Sequence, residues 1–131
     1  MPIYPTPEQI QKLLEGPADT PVVMLNLLRF KPSADGADSG LSGAEAYRLY
    51  AEEMRKVVES YGGRFVWSGR ADSLVIGDTA ENFDMIGLVE YPSRAVFVKV
   101  TQDPRVQQIG AHRAAGLESQ WLIATTEASL V

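Results

Sequence analysis

Residues 22–30, VVMLNLLRF, have the length of a β-strand but carry large apolar side chains on both faces. Side chains alternate along a strand, so one face carries Val22, Met24, Asn26, Leu28 and Phe30. The other face carries Val23, Leu25, Leu27 and Arg29. A sheet that meets water on one side needs apolar residues only on the other side. This strand therefore predicts a sheet that is covered on both faces.

The chain before and after this strand contains a short helix and a loop. Thr6, Pro7 and the residues after them form a helix-start signal, and Gly16-Pro17 ends that helix. The strand is predicted from Val22 to Lys31. Residues 32–43, PSADGADSGLSG, predict a loop that is either a lid or a plain surface connection.

The rest of the chain continues with alternating helical and strand patterns. An apolar stripe predicts a helix over 44–61, which Gly62-Gly63 ends. A strand over 64–77 follows, with a bulge or bend at Gly69. The remaining predicted elements are a turn at 78–83, a strand over 84–91, helices over 94–101 and 104–115, and a strand over 117–125.

The order of these elements, one helix followed by β-α-β-β-α-β, predicts an α+β fold. Two βαβ units with a hairpin between them give a four-stranded antiparallel sheet with its helices on one face, the ferredoxin-like plan. Right-handed crossovers leave few other topologies. A chain of 131 residues corresponds to one domain. We predict a single ferredoxin-like domain over residues 1–131, with residues 1–20 as an N-terminal helical extension.

The ferredoxin-like plan leaves one sheet face without helices, and in this chain that face is partly apolar. Leaving four large apolar side chains in water would cost on the order of 6–12 kcal/mol relative to burial. This cost is comparable to the whole stability of a domain. A two-fold homodimer is the commonest way to cover such a face. We therefore predict a two-fold homodimer, in which two open sheet faces pack together as a barrel-like sandwich and leave room for a small ligand.

The overall composition excludes several classes of partner. The net charge is −5, the pI is about 4.8 and no Lys/Arg cluster stands out, which argues against nucleic acid and anionic membranes. No apolar run reaches the roughly 18 residues of a membrane span, and the N-terminus shows no signal pattern. The absence of cysteine removes disulfides and thiolates and fits a cytoplasmic protein.

Several segments together resemble the DUF1330 family: VVMLNLLRFK, YRLYAEEMRKVVESYGGRFVWSG, LVEYPSRAVFVKV and DPRVQQIGAHRAAGLES with the last strand. The resemblance runs from about residue 21 to residue 126 and implies the dimeric α+β barrel superfamily. It implies no reaction, because relatives in that superfamily include cofactor-free monooxygenases, lactone isomerases, haem-containing dehydratases and haem-degrading proteins. Fold alone does not choose among these activities.

His112, the only histidine, is the first candidate for acid–base chemistry because its ordinary pKa lies near neutrality. The alternative is a histidine that interacts with the C-terminal end of a helix. Arg113 beside it is a candidate for holding an anionic substrate, with a surface charge as the alternative. No second histidine, HExxH, phosphate-binding loop or GxGxxG motif is present, so we predict no metal and no cofactor.

Five further residues are candidate site residues. Asn26 in mid-strand needs a hydrogen-bond partner, and we place it in the space between the two sheets, with a structural role facing the helices as the alternative. Tyr47 has a polar tip that can orient a substrate oxygen, and it also suits a packed core. Ligand-binding roles are predicted for Arg29, Trp67 and Glu118, with a solvent-exposed strand end, dimer packing and ion pairing as their alternatives.

Two functions remain open from the sequence. The first is a cofactor-independent enzyme of monooxygenase or isomerase type, acting on a small apolar oxygenated substrate between sheet and helix or between sheets. In that case His112, Asn26 and one of Tyr47, Arg29 or Glu118 should converge on one cavity. The second is a non-catalytic ligand-binding or structural dimer module, in which His112 is exposed or caps a helix.

Overall fold

The computed structural model describes residues 3–78 and 82–131 and has the predicted ferredoxin-like order of elements. The helices are α1 (Pro7–Leu14), α2 (Gly43–Ser60), α3 (Arg94–Thr101) and α4 (Pro104–Gly116). The strands are β1 (Val22–Phe30), β2 (Arg64–Arg70), β3 (Met85–Tyr91) and β4 (Leu117–Thr125). A single 3-10 turn, Gly36–Asp38, lies in the loop between β1 and α2.

The four strands form one antiparallel sheet in the order β2-β3-β1-β4. This order places the first strand in the centre, as the ferredoxin-like plan requires. Residues directly opposite each other in an antiparallel pair point to the same face, so the register assigns every side chain to one side of the sheet. The predicted α+β, four-stranded antiparallel fold is confirmed.

The ends of α2 follow from local sequence chemistry. The hydroxyl of Ser42 accepts from the N–H of Glu45, and the Glu45 carboxylate accepts from the N–H of Ser42, which together make a capping box. At the other end Gly62 has φ +85°, and the Gly63 N–H donates to the Val58 carbonyl at 2.9 Å. This Schellman arrangement ends the helix at the predicted glycine pair.

The core lies between the sheet and its helices. Val22 and Met24 of β1 are buried there against residues of α2, α3 and β3: Tyr50, Met54, Val57, Val58, Tyr91, Phe97 and Val100. The helices α2 and α4 cross closely at Gly43 and Gly116, where a Cβ on Gly116 would lie 2.4 Å from the Gly43 carbonyl oxygen. These two helices contact each other more extensively than either contacts the sheet, so a space remains between sheet and helices.

Strand β2 differs from its predicted form. It ends at Arg70 instead of residue 77, because β3, its pairing partner, begins only at Met85. The bulge lies at Val66 and not at Gly69, which stays in register opposite Ile86. Of the predicted turn at 78–83, residues 79–81 lie outside the described part of the chain.

The predicted loop 32–43 packs closely on its neighbours. Its start and end are tied by the Lys31 N–H, which donates to the Gly116 carbonyl at 2.8 Å, and by the Gly43 N–H, which donates to the Lys31 carbonyl at 3.1 Å. The Asp35 N–H donates to the Ala115 carbonyl at 3.1 Å, and Ala34 is buried against α4. The loop therefore lies along the C-terminal end of α4.

The sheet face opposite the helices is apolar, and no helix of the described residues covers it, although the ring of Phe83 packs on Trp121 at 5.4 Å. Its central side chains are Leu25, Leu27, Leu88, Trp67, Trp121 and Ile123, as the register assigns them. Trp67 is 57% exposed and Trp121 is 45% exposed. We call these six residues the open face. Within residues 3–78 and 82–131 no helix has the length and apolar character to span a membrane.

Candidate functional site

The space between the sheet and the helix layer forms a cleft, which we call the sheet–helix cleft. Its floor is the helix-facing side of the sheet, and its walls come from α1, α2, α3, α4 and the N-terminal residues 3–5. Leu28, Phe30 and Leu122 supply apolar surface on the sheet side. The cleft is therefore apolar over much of its surface and receives polar groups from a few positions.

A row of small or polar residues crosses the floor of the cleft. Ser68 on β2, Gly87 on β3 and Asn26 on β1 lie directly opposite one another in the register. A Cβ built on Gly87 would have only the Asn26 Cβ within 4 Å, at 4.0 Å. The neighbouring row carries the larger side chains of Met24 and Val89. The missing side chain at Gly87 thus leaves a hollow in the middle of the sheet.

A chain of hydrogen bonds runs from α4 to the edge of this hollow. Arg113 Nη2 donates to Gln120 Oε1 at 2.6 Å, and Gln120 Nε2 donates to Asn26 Oδ1 at 2.8 Å. Asn26 Nδ2 in turn donates to the Met24 carbonyl at 3.2 Å. These contacts fix the orientation of the Asn26 amide beside Gly87. An amide that the protein already holds in place is a pre-oriented group for a ligand.

Arg113 has neutral partners on its other side. It donates to the Ile3 carbonyl, and its guanidinium lies 5.2 Å from the centre of the Tyr4 ring. Within the described residues no carboxylate pairs with Arg113. The half-buried guanidinium therefore brings a net positive charge into the cleft.

Three tyrosines bring phenol groups to the same cleft. Tyr50 is 9% exposed and Tyr91 is 4% exposed, and the ring of Tyr47 lies 5.4 Å from that of Tyr50. Within residues 3–78 and 82–131, no protein group forms a hydrogen bond with any of the three hydroxyls. These phenols are therefore available as hydrogen-bond donors to a molecule in the cleft.

Burial and the neighbouring charges shift the ionisation of these phenols. Burial raises the pKa of Tyr47, Tyr50 and Tyr91, and the neighbouring tyrosines raise the pKa of Tyr47 and Tyr91 further. The positive charge of Arg113 acts in the opposite direction on the pKa of Tyr47 and Tyr50. All three phenols are neutral at pH 7, and Arg113 favours negative charge near two of them.

The lining of the cleft includes four of the predicted site residues: Asn26, Tyr47, Trp67 and Arg113. Asn26 faces the helices, so its predicted placement between two sheets is wrong. The reason is that Asn26 lies on the same side of β1 as Val22 and Met24, which are buried against the helices. The backbone partner expected for the helix-facing alternative is present, together with Gln120.

Arg29 and Glu118, two other predicted site residues, lie elsewhere. Arg29 pairs with Ser119 on the side of the open face, and Glu118 is the extra residue of a bulge in β4 at that position. The register places Trp67 on the open face, although this residue also lines the cleft. The ligand-binding roles of these three residues stay predictions.

His112 lies outside the sheet–helix cleft. Its Nδ1 is 2.6 Å from Oδ2 of Asp38, a buried residue of the 3-10 turn. This contact joins α4 to the loop 32–43. The enzymatic interpretation predicted that His112, Asn26 and Tyr47 converge on one cavity, and among the described residues they do not. A catalytic role for His112 stays a prediction.

Three residues of the cleft were not identified from the sequence: Gly87, Tyr91 and Gln120. Strand alternation places Gly87 and Tyr91 on one face of β3, but the sequence does not say which face the helices cover. The sequence does not distinguish Gln120 from other strand residues, and only the register shows that it lies beside Asn26. Among the described residues, no three His, Asp or Glu side chains are grouped as a metal ion requires.

The chain is similar to one family model and to several solved structures. The model for the domain of unknown function DUF1330 matches residues 37–126. A crystal structure of a protein of unknown function from Rhodopseudomonas palustris has 35% sequence identity and a TM-score of 0.88, with 97% of each chain covered. None of the curated proteins matches the chain in sequence.

More distant structures share the fold alone. A dabb family protein with a ferredoxin-like fold from Mesorhizobium loti has 12% identity and a TM-score of 0.55, over 83% of this chain and 98% of that one. SnoaB, a cofactor-independent oxygenase from Streptomyces nogalater, has 14% identity and a TM-score of 0.51, over 85% and 97%. The family match covers more than half of the sequence, and the chain therefore belongs to the DUF1330 family.

Proposed function

We propose that this protein binds a small, largely apolar, oxygenated molecule in the sheet–helix cleft. The hollow at Gly87 is the observation that carries this proposal. Protein interiors are close-packed, and glycine inside a strand costs stability, so such a position is typical of a site where a ligand approaches the backbone. The fixed amide of Asn26 lies beside this hollow, and the phenol of Tyr47 lines the same cleft, so both can receive oxygen atoms of the ligand.

The side chains of the cleft favour binding over catalysis. Among the described residues that line it, the carboxylates are Glu45 and Glu52, and no histidine is present. Glu45 caps α2, and Glu52 pairs with Arg48 on the helix surface. The cleft thus offers donors and a cation but no free general base. A non-catalytic ligand-binding protein is the function that this geometry supports best.

A melting-temperature screen with variants of Gly87 tests the proposal. The probes are small aromatic and acyl compounds, and the variants Gly87→Val and Gly87→Leu fill the hollow. We expect some probes to raise the melting temperature of the wild type but not that of Gly87→Leu, while the unliganded variants stay folded. Gly87→Ala, which adds one carbon, is the control and retains part of the effect. Equal shifts in the wild type and Gly87→Leu, or no shift with any probe, would contradict the proposal.

We also propose that the protein is a homodimer through the open face, forming the dimeric α+β barrel. Trp67, Trp121 and Ile123 are large apolar side chains that one chain leaves partly in water. Contiguous exposed apolar surface of this kind marks an interface. Two open faces related by a two-fold axis present the same residues to each other and bury them.

A cofactor-independent oxygenase or isomerase is the second candidate function. SnoaB shares the fold, and the observation that favours an enzyme here is the positive charge of Arg113 in the cleft, which would favour the anionic form of a substrate. Chemistry without a cofactor requires a substrate that is itself activated by deprotonation. The test is turnover of any compound found in the screen, followed with an oxygen electrode and by exchange of its acidic C–H for deuterium. Unchanged rates in Tyr47→Phe and Arg113→Gln would contradict an enzymatic role.

A further inference from the structure

We propose that the ligand of the sheet–helix cleft is a small monocarboxylic acid, whose carboxylate pairs with Arg113 and whose apolar body lies over the hollow at Gly87. This proposal rests on the cleft being a ligand site. It adds the charge and the orientation of the ligand, with its anionic end at α4 and its apolar end on the sheet.

The first argument is the state of Arg113. An arginine side chain does not lose its proton in a protein, so its charge persists when it is half-buried. Its partners, the Ile3 carbonyl, the Gln120 amide oxygen and the Tyr4 ring, are all neutral. Removing a charge from water without an opposite charge is costly. A carboxylate in the cleft would offset that cost.

The second argument is the contrast with other arginines of the chain. Arg48, Arg55, Arg64 and Arg105 each have a carboxylate partner within 3.5 Å. The chain has 17 acidic and 12 basic residues, so acids are in excess. In the described residues none of these acids lies against Arg113, which lines the cleft.

The third argument is the set of free donors around Arg113. Its two bonds to protein acceptors both come from Nη2, and within the described residues Nε and Nη1 have no acceptor. The hydroxyls of Tyr47 and Tyr50 are close enough to Arg113 for its charge to act on them, and they also have no partner. A carboxylate has two oxygens that accept several hydrogen bonds and can therefore use both kinds of donor.

Arg94 is a second arginine of the cleft without a carboxylate partner in the described residues, but it is a weaker candidate. It is buried, and its two terminal nitrogens donate to the Leu13 carbonyl at 3.2 Å and to Thr126 Oγ1 at 3.0 Å. It also packs directly against Gly16. Because its head group is already fixed by the chain, we assign the carboxylate to Arg113.

Pairs of acids and neutral amides of the same shape test this assignment. The probes are hexanoate with hexanamide and benzoate with benzamide, and dissociation constants are measured by titration calorimetry on the full chain. We expect each acid to bind at least about tenfold more tightly than its amide, the effect of one charge-assisted pair. In Arg113→Gln each acid and its amide should bind about equally tightly, since one charge-assisted pair is lost.

Further variants separate loss of charge from loss of structure. Arg113→Lys keeps the charge and should retain part of the preference, and Tyr50→Phe removes one donor and should weaken acid binding by a few fold. Arg64→Gln removes an arginine that lies outside the cleft and pairs with Glu90 at 2.9 Å, and it should leave the preference unchanged. Melting curves of each variant identify any that fail to fold.

The outcomes distinguish this proposal from the function on which it rests. If the amides bind as tightly as the acids, or if Arg113→Gln keeps the preference while folded, the carboxylate assignment is wrong and cleft binding stands. If neither acids nor amides bind, while the broader panel shifts the melting temperature in the wild type only, the assignment is again wrong. If nothing in any panel binds, the cleft itself is not a ligand site.

Discussion

Burial changes the hydrogen bonding and the pKa of the phenols of Tyr47, Tyr50 and Tyr91. The ring of each packs in or beside the core, and no residue in the described part of the chain forms a hydrogen bond with its hydroxyl. Burial raises the pKa of all three. The unfolded chain ionises its tyrosines near pH 10, whereas these three stay protonated in the folded state. Their contribution to stability is therefore complete below about pH 10 and is lost as the pH rises further.

The loss of stability at high pH that follows from the raised tyrosine pKa values gives the first prediction. The free energy of unfolding, measured with urea, should fall between pH 9 and pH 11 in the wild type. The fall should be smaller in the triple variant Tyr47→Phe, Tyr50→Phe, Tyr91→Phe, which has no such hydroxyls. Absorbance at the phenolate band should show that these tyrosines ionise only as the protein unfolds. An equal pH dependence in both proteins would contradict the assignment.

Asp103 gives a prediction of opposite sign. Hydrogen bonds from Arg105, first from its side chain and then from its backbone, lower the pKa of the Asp103 carboxyl, and the Tyr61 hydroxyl contributes. A lowered pKa adds stability that is present above the unfolded pKa of about 4 and is lost as the pH falls through the folded value. Asp103→Asn should therefore destabilise the protein at pH 7 and do so less at pH 3. A constant difference in urea midpoints would show that the ion pair contributes nothing.

Single residues were predictable where their chemistry alone marks them, and not where their position in the sheet does. Asn26, Tyr47 and Arg113 stand out as polar groups in apolar surroundings. Gly87 and Gln120 matter only because the register places both next to Asn26. A one-residue change in register would move either side chain to the other face of the sheet. The sequence does not fix that register, and so it could not identify them.

The loop 32–43 is held to α4 by the contact between His112 and Asp38. We expect His112→Ala to lower the free energy of unfolding by about 1–3 kcal/mol, because the buried Asp38 carboxylate loses its partner. Amide hydrogen exchange should accelerate in residues 34–41, and dissociation constants for cleft ligands should change little. Asp38→Asn, which keeps a polar partner, is the milder control. A variant with unchanged loop exchange but lost turnover would instead support a catalytic His112.

Strands and helices were predicted well where local signals determine their ends. Capping residues and the Gly62-Gly63 pair set the limits of α2 within one residue. The end of β2 depends on how far β3 extends beside it, and alternating side chains in 71–77 gave no sign of that limit. The position of the bulge at Val66 likewise depends on how β2 pairs with β3 and cannot be read from the sequence of either strand alone.

At the scale of the whole molecule, one sheet serves two purposes in this account. Its helix-facing side forms the floor of the cleft, and its open face is the proposed interface with a second copy of the chain. Leu25 and Leu88 lie opposite each other at the centre of the open face. If both are replaced by Glu, the two carboxylates can reach water in a single chain but would be buried in the dimer. The double variant should therefore separate the two copies without unfolding them.

Sedimentation equilibrium at micromolar concentration tests most directly whether a second copy of the chain covers the open face. For the wild type we expect a molecular mass of twice the 14.3 kDa of the chain. We expect the same for Leu130→Glu, a control that places the same charge on a fully exposed tail residue. The double variant Leu25→Glu, Leu88→Glu should sediment as a folded particle of 14.3 kDa. A wild type that sediments as a stable 14.3 kDa particle would contradict the account.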